Sequence, residues 1–171
     1  MNLLVIRHAI AEDREQFARS GRSDDLRPLT EDGRAKMRRV AAGLRAEVAA
    51  PVLVATSPLV RARATAEIVA TSLGIVRVET VEALRPDAPY DQLLDWLAAR
   101  AADDRWKTVA VVGHEPHLGG LVTWLLTGVA DSRVEFKKGG ACLLAFDGEP
   151  GAGDATLSWL LTPSQLRRLD G

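Results

Sequence analysis

The stretch Leu3-Leu4-Val5-Ile6-Arg7-His8-Ala9 passes from four branched apolar side chains straight to a guanidinium and an imidazole. An apolar run this short and this rich in branched residues reads as a buried strand. In open α/β sheets, ligands bind beyond the carboxyl ends of such strands. Arg7 and His8 therefore line a candidate site. The competing reading is a histidine that only ends a strand and satisfies its ring nitrogens locally. The rest of the chain decides between the two.

Outward from that strand, apolar strand-like runs alternate with amphipathic helical patterns, and no internal repeat or low-complexity segment interrupts them. Such alternation implies a layered α/β fold. Residues 11–29 are polar and rich in Arg and Asp, with Gly21 and Pro28, and read as a loop over the sheet edge near His8 that shapes a substrate entrance. Thr30, followed by Glu31, Asp32 and Gly33, caps a helix whose stripe of Met37, Val40, Leu44 and Val48 faces the core. Residues 52–55 form the next strand. The turn Thr56-Ser57-Pro58 then starts a helix with Ala62, Ala66, Val69 and Leu73 on one face and Arg61 in its first turn. Residues 75–81 read as a short strand and 90–100 as a helix with Leu93, Leu94 and Leu97 inward. A buried strand at 108–112 runs directly into Gly113-His114. Residues 117–126 are helical, strands at 141–146 and 156–161 flank a hairpin-like loop at 147–154, and 163–169 is a closing helix.

Bulk properties bound the function. A chain of 171 residues that is 47% hydrophobic buries one good core and is expected to be a single domain spanning residues 1–171. Its 22 basic and 23 acidic side chains almost cancel, so no overall field recruits nucleic acid or an anionic membrane, and any anion site must be built locally. Cys142 is the only cysteine, which excludes an internal disulfide and a cysteine-rich metal site and suits a reducing compartment. No apolar run approaches the roughly 18 residues of a membrane span, and Arg7 interrupts the first run too early for a signal peptide. The expectation is a soluble, cytoplasmic protein with no membrane and no nucleic-acid partner.

Three strand ends or strand-to-helix turns deliver Arg7-His8, Arg61 and His114 from separate parts of the sequence, and convergence on one edge is the simplest explanation. Guanidiniums and imidazoles gathered there repel one another unless an anion sits between them. Planar guanidinium forks match phosphate oxygens, so a phosphoryl group is the natural occupant.

The Arg7-His8-Ala9 turn, Arg27-Pro28-Leu29-Thr30, Ser57-Pro58-Leu59-Val60-Arg61-Ala62 followed by Thr65-Ala66, and Gly113-His114 together resemble the histidine phosphatase superfamily. Within it, the small size, the Arg-Pro-Leu-Thr before the first long helix, Pro116 and Gly119 after His114, and Trp159 with Pro163 near the end resemble the SixA-type phosphohistidine phosphatases. Each motif alone is weak, but their order and spacing are specific and cover nearly the whole chain. Ala9 stands where the family usually has Gly; alanine lacks the freedom of positive φ but is small enough for close approach to phosphate.

The resemblance implies a three-layer α/β/α sandwich of phosphoglycerate mutase-like type around a mostly parallel central sheet. It also implies that His8 is the nucleophile, carrying the phosphoryl group as a covalent phosphohistidine until water removes it. Arg7, Arg61 and His114 would bind the phosphate oxygens, with no metal and no cofactor. Preorganised cations supply alignment and charge stabilisation, which is most of what phosphoryl transfer needs. The arginines keep His8 neutral, and a backbone carbonyl is the expected partner that orients it.

The general acid is where the chain departs from the larger family. Mutase-like members carry a Glu where this sequence reads Leu84-Arg85-Pro86, and proline cannot donate a proton. Acid phosphatase-like members carry an Asp after the second histidine, where Glu115 stands here; Glu115 acts only if its side chain turns inward, and Asp87 and Glu82 are weaker candidates. An alkoxide leaves poorly without protonation, whereas the imidazole of a phosphohistidine is protonated within the substrate itself. The short span between Leu73 and Thr108 also leaves no room for a lid over small esters. The favoured substrate is thus a phosphorylated protein of the histidine-phosphotransfer kind. The alternatives are a small phosphorylated metabolite, turned over by a phosphomonoesterase or mutase, and a noncatalytic module that binds phosphoproteins.

Other residues carry ordinary readings. His114-Glu115-Pro116-His117 mimics a zinc motif, but its histidines are three apart with Pro116 between them, and only one further His exists. His117 reads as a helix-start or pocket-rim residue. Lys137-Lys138 reads as a solvated pair, and Arg14, Arg19 and Arg22 could meet substrate from the first loop. Trp96, Trp106, Trp124 and Trp159 read as core or rim packing.

Overall fold

The computed structural model describes residues 1–49, 51–101 and 107–170. Trp106 lies outside these residues. Six strands form one sheet: β1 (Asn2–Arg7), β2 (Leu53–Thr56), β3 (Val78–Thr80), β4 (Thr108–Gly113), β5 (Ala141–Phe146) and β6 (Ala155–Leu161), in the order β3-β2-β4-β1-β5-β6. The first four are mutually parallel, β5 runs antiparallel to β1, and β6 antiparallel to β5.

The quoted stretch explains the layering. Leu3, Leu4, Val5 and Ile6 are all fully buried, as a continuous apolar run requires in a strand covered on both faces. Leu3 and Val5 point into a cluster with Leu93 and Leu97 of α4 (Tyr90–Ala101) and Leu118, Leu121 and Leu125 of α5 (His117–Thr127). Leu4 and Ile6 point the other way. They meet Met37, Val40 and Leu44 of α2 (Glu31–Glu47), Ala62, Ala66 and Val69 of α3 (Val60–Leu73) and Leu166 of α6 (Pro163–Arg168). The molecule is an α/β/α sandwich with a mostly parallel sheet.

Local chemistry fixes the helix ends. The Thr30 side chain accepts from Gly33 N–H to cap α2, and Thr162 with Gln165 forms a capping box ahead of Pro163 in α6. Gly74 closes α3 at φ 70°, a left-handed geometry that favours glycine.

Two segments differ from the sequence expectation. Residues 11–29 contain a helical turn and a half, α1 (Arg14–Ala18), capped by Asp13 and anchored by buried Phe17, and a 3-10 turn at Asp24–Leu26. Five residues give no apolar periodicity, so one buried aromatic was the only signal. The strand expected at 75–81 shrinks to Val78–Thr80, because β3 is an edge strand paired only with β2 and Val76 is fully exposed.

Register sets up the site. Arg7 lies opposite Gly113, and Thr56 opposite Val112, so the carboxyl ends of β1, β4 and β2 finish side by side.

Candidate active site

Beyond these strand ends the chain turns tightly. His8 N–H donates to Gly113 O at 3.0 Å, and Ser57 N–H to Val112 O at 3.0 Å, so both turns are tied to β4 or its end. Gly139 N–H, at φ 80°, donates to the carbonyls of Arg7 and His8, each at 3.2 Å. Ala9 N–H donates to Thr65 Oγ1 at 3.0 Å, and that hydroxyl donates to Arg61 O at 2.7 Å. Thr65 thus joins the turn carrying His8 to the helix carrying Arg61.

His8 is buried, with Nδ1 2.7 Å from Ala9 O. A carbonyl only accepts, so Nδ1 carries the proton and the lone pair sits on Nε2. The expected backbone carbonyl is therefore its neighbour's. Burial pushes the His8 imidazole down to about 3, reinforced by the charges of Arg61, Arg7 and Arg27 against the raising effect of the Ala9 hydrogen bond. His114 faces it with ring centroids 5.1 Å apart, and burial, with His8 and Arg61 nearby, lowers it to about 2. Both rings are neutral at physiological pH.

Arg7 donates through Nη1 to Phe136 O, while its buried Nε has no partner among the described residues. Arg61 donates through Nη1 to Asp24 O at 2.9 Å and meets the Asp24 carboxylate through Nη2 at 3.1 Å; its Nε is likewise buried without a partner. His114 Nδ1 is in the same condition. Buried polar groups in native proteins are nearly always satisfied, so this concentration of unmet groups marks a candidate anion site.

These residues line a cavity of about 430 Å³ that contains Arg7, His8, Arg61 and His114. The four residues singled out from the sequence are thus brought together. The same cavity holds Arg27, buried to 6% exposure, whose Nε donates to Asp24 Oδ1 at 2.7 Å and Nη1 to Glu12 O at 2.7 Å. Burial alone would push the Asp24 carboxyl up, but the Arg27 hydrogen bond and the charges of Arg61, Arg27 and Arg14 hold it below its ordinary value. Asp24 therefore braces two guanidiniums as a carboxylate.

Glu115 borders the cavity, but both its oxygens accept backbone protons: Oε1 from Phe136 N–H at 2.7 Å and Oε2 from Gly119 N–H at 3.4 Å. Both oxygens are thus engaged by backbone donors. Because Phe136 O receives Arg7, the Glu115 carboxylate braces Arg7 through that residue. Of the other carboxyl candidates, Glu82 is exposed beside Arg85 at 3.8 Å, and Asp87 borders a neighbouring cavity rather than this one. Pro86 lines the wall between them.

His117 does start a helix, buried, with Nε2 2.9 Å from Ala88 O and its ring 5.1 Å from Tyr90. Lys138 and Arg14 reach the cavity rim, whereas Lys137 pairs with Glu135 at 3.3 Å and Arg22 sits over the Phe17 ring. Trp96 is stacked under Arg100, Trp124 lies beside Tyr90, and Trp159 packs on the core. Among the described residues, no group of three or more His, Cys, Asp or Glu could hold a metal ion, and no helix is long and apolar enough to cross a membrane.

Sequence reasoning did not single out Arg27, Asp24 or Ser57 as site residues. Arg27 and Ser57 stood inside quoted motifs, but Asp24 sits in a polar loop among other acids and carried no signal of its own.

The sequence profile of the histidine phosphatase superfamily (branch 1) matches residues 3–86. An uncharacterised protein of Picosynechococcus sp. is 32% identical over 145 residues, covering 82% of each chain. The structure of the protein histidine phosphatase SixA complexed with tungstate superposes with TM-score 0.82 at 27% identity, covering 97% of this chain and 99% of that one. A mycobacterial glucosyl-3-phosphoglycerate phosphatase in complex with VO3 shares the fold at TM-score 0.71 and 18% identity, covering 94% of this chain and 99% of its own.

Proposed function

The chain belongs to the histidine phosphatase superfamily, and from that premise we propose that it removes a phosphoryl group from a phosphorylated histidine of another protein. The observation that carries this reading is the state of His8: neutral, with Nδ1–H given to Ala9 O and the Nε2 lone pair left for phosphorus. Nε2 attacks in line as the P–N bond of the substrate breaks, and the substrate's own ring, already protonated, departs as neutral imidazole. Water then cleaves the His8 N–P bond and releases inorganic phosphate. Arg7, Arg61 and His114 hold the three non-bridging oxygens of the transferred phosphoryl group through both steps.

Two features support P–N over P–O cleavage. Glu115 gives both carboxylate oxygens to backbone amides, and Pro86, which has no proton to donate, stands in the cavity wall. The likeness to SixA, whose complex holds a tetrahedral oxyanion, points the same way. One observation favours a second reading, a small phosphate ester: Glu12 borders the cavity on an exposed loop and could protonate an alkoxide.

The test compares phosphate release from a phosphohistidine-bearing protein and from a panel of phosphomonoesters, using wild type, His8→Ala and Glu12→Gln. Preference for the P–N substrate, abolished in His8→Ala and untouched in Glu12→Gln, is the expected result. Preference for an ester, lost in Glu12→Gln, establishes the second reading instead. Undiminished turnover by His8→Ala would sink the covalent mechanism.

A further inference from the structure

The neutral ring of His114 poses a question that the phosphate site alone does not answer. It carries a single proton, and an anion is stabilised only if that proton sits on the nitrogen that faces it. Nε2 lies 2.8 Å from the hydroxyl of Ser57, while Nδ1 is buried without a partner among the described residues, on a ring that lines the cavity opposite His8. A hydroxyl both donates and accepts, so two arrangements satisfy the Ser57 contact. With the proton on Nε2, the ring donates to Ser57 and leaves Nδ1 as a buried lone pair that has nothing to give an anion. With the hydroxyl donating to Nε2, the proton moves to Nδ1.

Surroundings of Ser57 favour the second arrangement. Its side chain is fully buried, its backbone N–H is tied to Val112 O, and its Oγ already accepts from Leu59 N–H at 3.4 Å. An oxygen that receives a backbone proton is left with its own hydrogen to give, and Nε2 is the acceptor beside it. Resting on the reading of His114 as a phosphoryl-holding group, we propose that Ser57 is a positioning residue that fixes His114 as its Nδ1–H tautomer, so that the ring offers the anion a donor. The chain Leu59 N–H, Ser57 O–H and His114 Nε2 then runs one way, from the α3 entry turn to the cavity-lining ring that carries Nδ1–H. Mutual polarisation along such a chain strengthens its last donor.

The direct measurement uses 15N-labelled wild-type protein saturated with inorganic phosphate and reads the two ring nitrogens of His114. A protonated Nδ1 and an unprotonated Nε2 are expected. The opposite assignment, or a ring protonated on both nitrogens, overturns the proposal without any variant being made. Ser57→Ala supplies the second arm: kcat should fall roughly 10- to 100-fold with a smaller change in KM, since the donor matters most as charge develops on the oxygens. Its His114 should show a mixture of tautomers in the phosphate-bound spectrum. A Ser57→Ala protein that folds, keeps the pure Nδ1–H form and retains full kcat refutes the role. If wild type releases phosphate from no substrate, the reading of the site fails separately, because the tautomer is read on the phosphate complex and not from turnover.

Discussion

At the scale of single residues, protonation gives the sharpest prediction. His8 titrates at about 3 in the folded chain against 6.5 for an unperturbed ring, and His114 at about 2. Between those values the folded state binds fewer protons than the unfolded one. The stability contributed by keeping both rings neutral is therefore complete above pH 6.5 and lost as pH falls toward 3, each ring adding about 1.4 kcal/mol per pH unit to the slope. Ring-proton resonances of His8 should stay flat in an NMR titration from pH 8 to about 5, and urea unfolding should become easier over the same descent. A His8 midpoint near 6.5 would contradict the burial argument. The residues behind this behaviour were readable to unequal degrees. Arg7, His8 and His114 follow directly from apolar runs that stop at a polar side chain, and Arg61 from a helix start. Asp24 and Ser57 act on those groups through loop and turn geometry that no periodicity encodes.

Among the elements, the helices on one face of the sheet depend on close backbone approach. A Cβ added to Gly43 of α2 would fall on the carbonyl oxygen of Leu166 in α6. Gly43→Ala should push α6 outward at a cost of about 1–3 kcal/mol, lowering Tm by several degrees while leaving turnover intact, because no group of the cavity lies on α6. An unchanged Tm would mean that α6 is free to slide. Element types were legible wherever apolar spacing was sustained: α2 and α3, with buried stripes of Met37, Val40 and Leu44 and of Ala62, Ala66 and Val69, and the buried strands β1, β2 and β4. The short α1 and the trimmed β3 escaped because one is five residues long and the other has an exposed edge whose apolar side chains, Val76 and Val78, face solvent.

For the whole molecule, a formal net charge of −1 conceals a strongly cationic hollow in which Arg7, Arg27 and Arg61 converge, braced by Asp24. An oxyanion bound there stabilises the folded chain alone, by about 2.7 kcal/mol at one hundred times its dissociation constant. Phosphate or tungstate should raise Tm of wild type in a concentration-dependent way and raise that of Arg61→Ala far less; equal shifts would locate the binding elsewhere. The hydrogen bond from His8 Nδ1 to Ala9 O reaches beyond the single chain. It confines the phosphoryl group to Nε2, so a phosphohistidine substrate exchanges one nitrogen–phosphorus bond for another of the same kind. That first half-reaction is close to level and runs in both directions, and only the arrival of water makes the sequence downhill. On the proposed substrate, the balance between draining phosphoryl groups from the partner protein and passing them back is then a contest between two rates, hydrolysis of the phosphorus–nitrogen bond at His8 and return of the partner's imidazole.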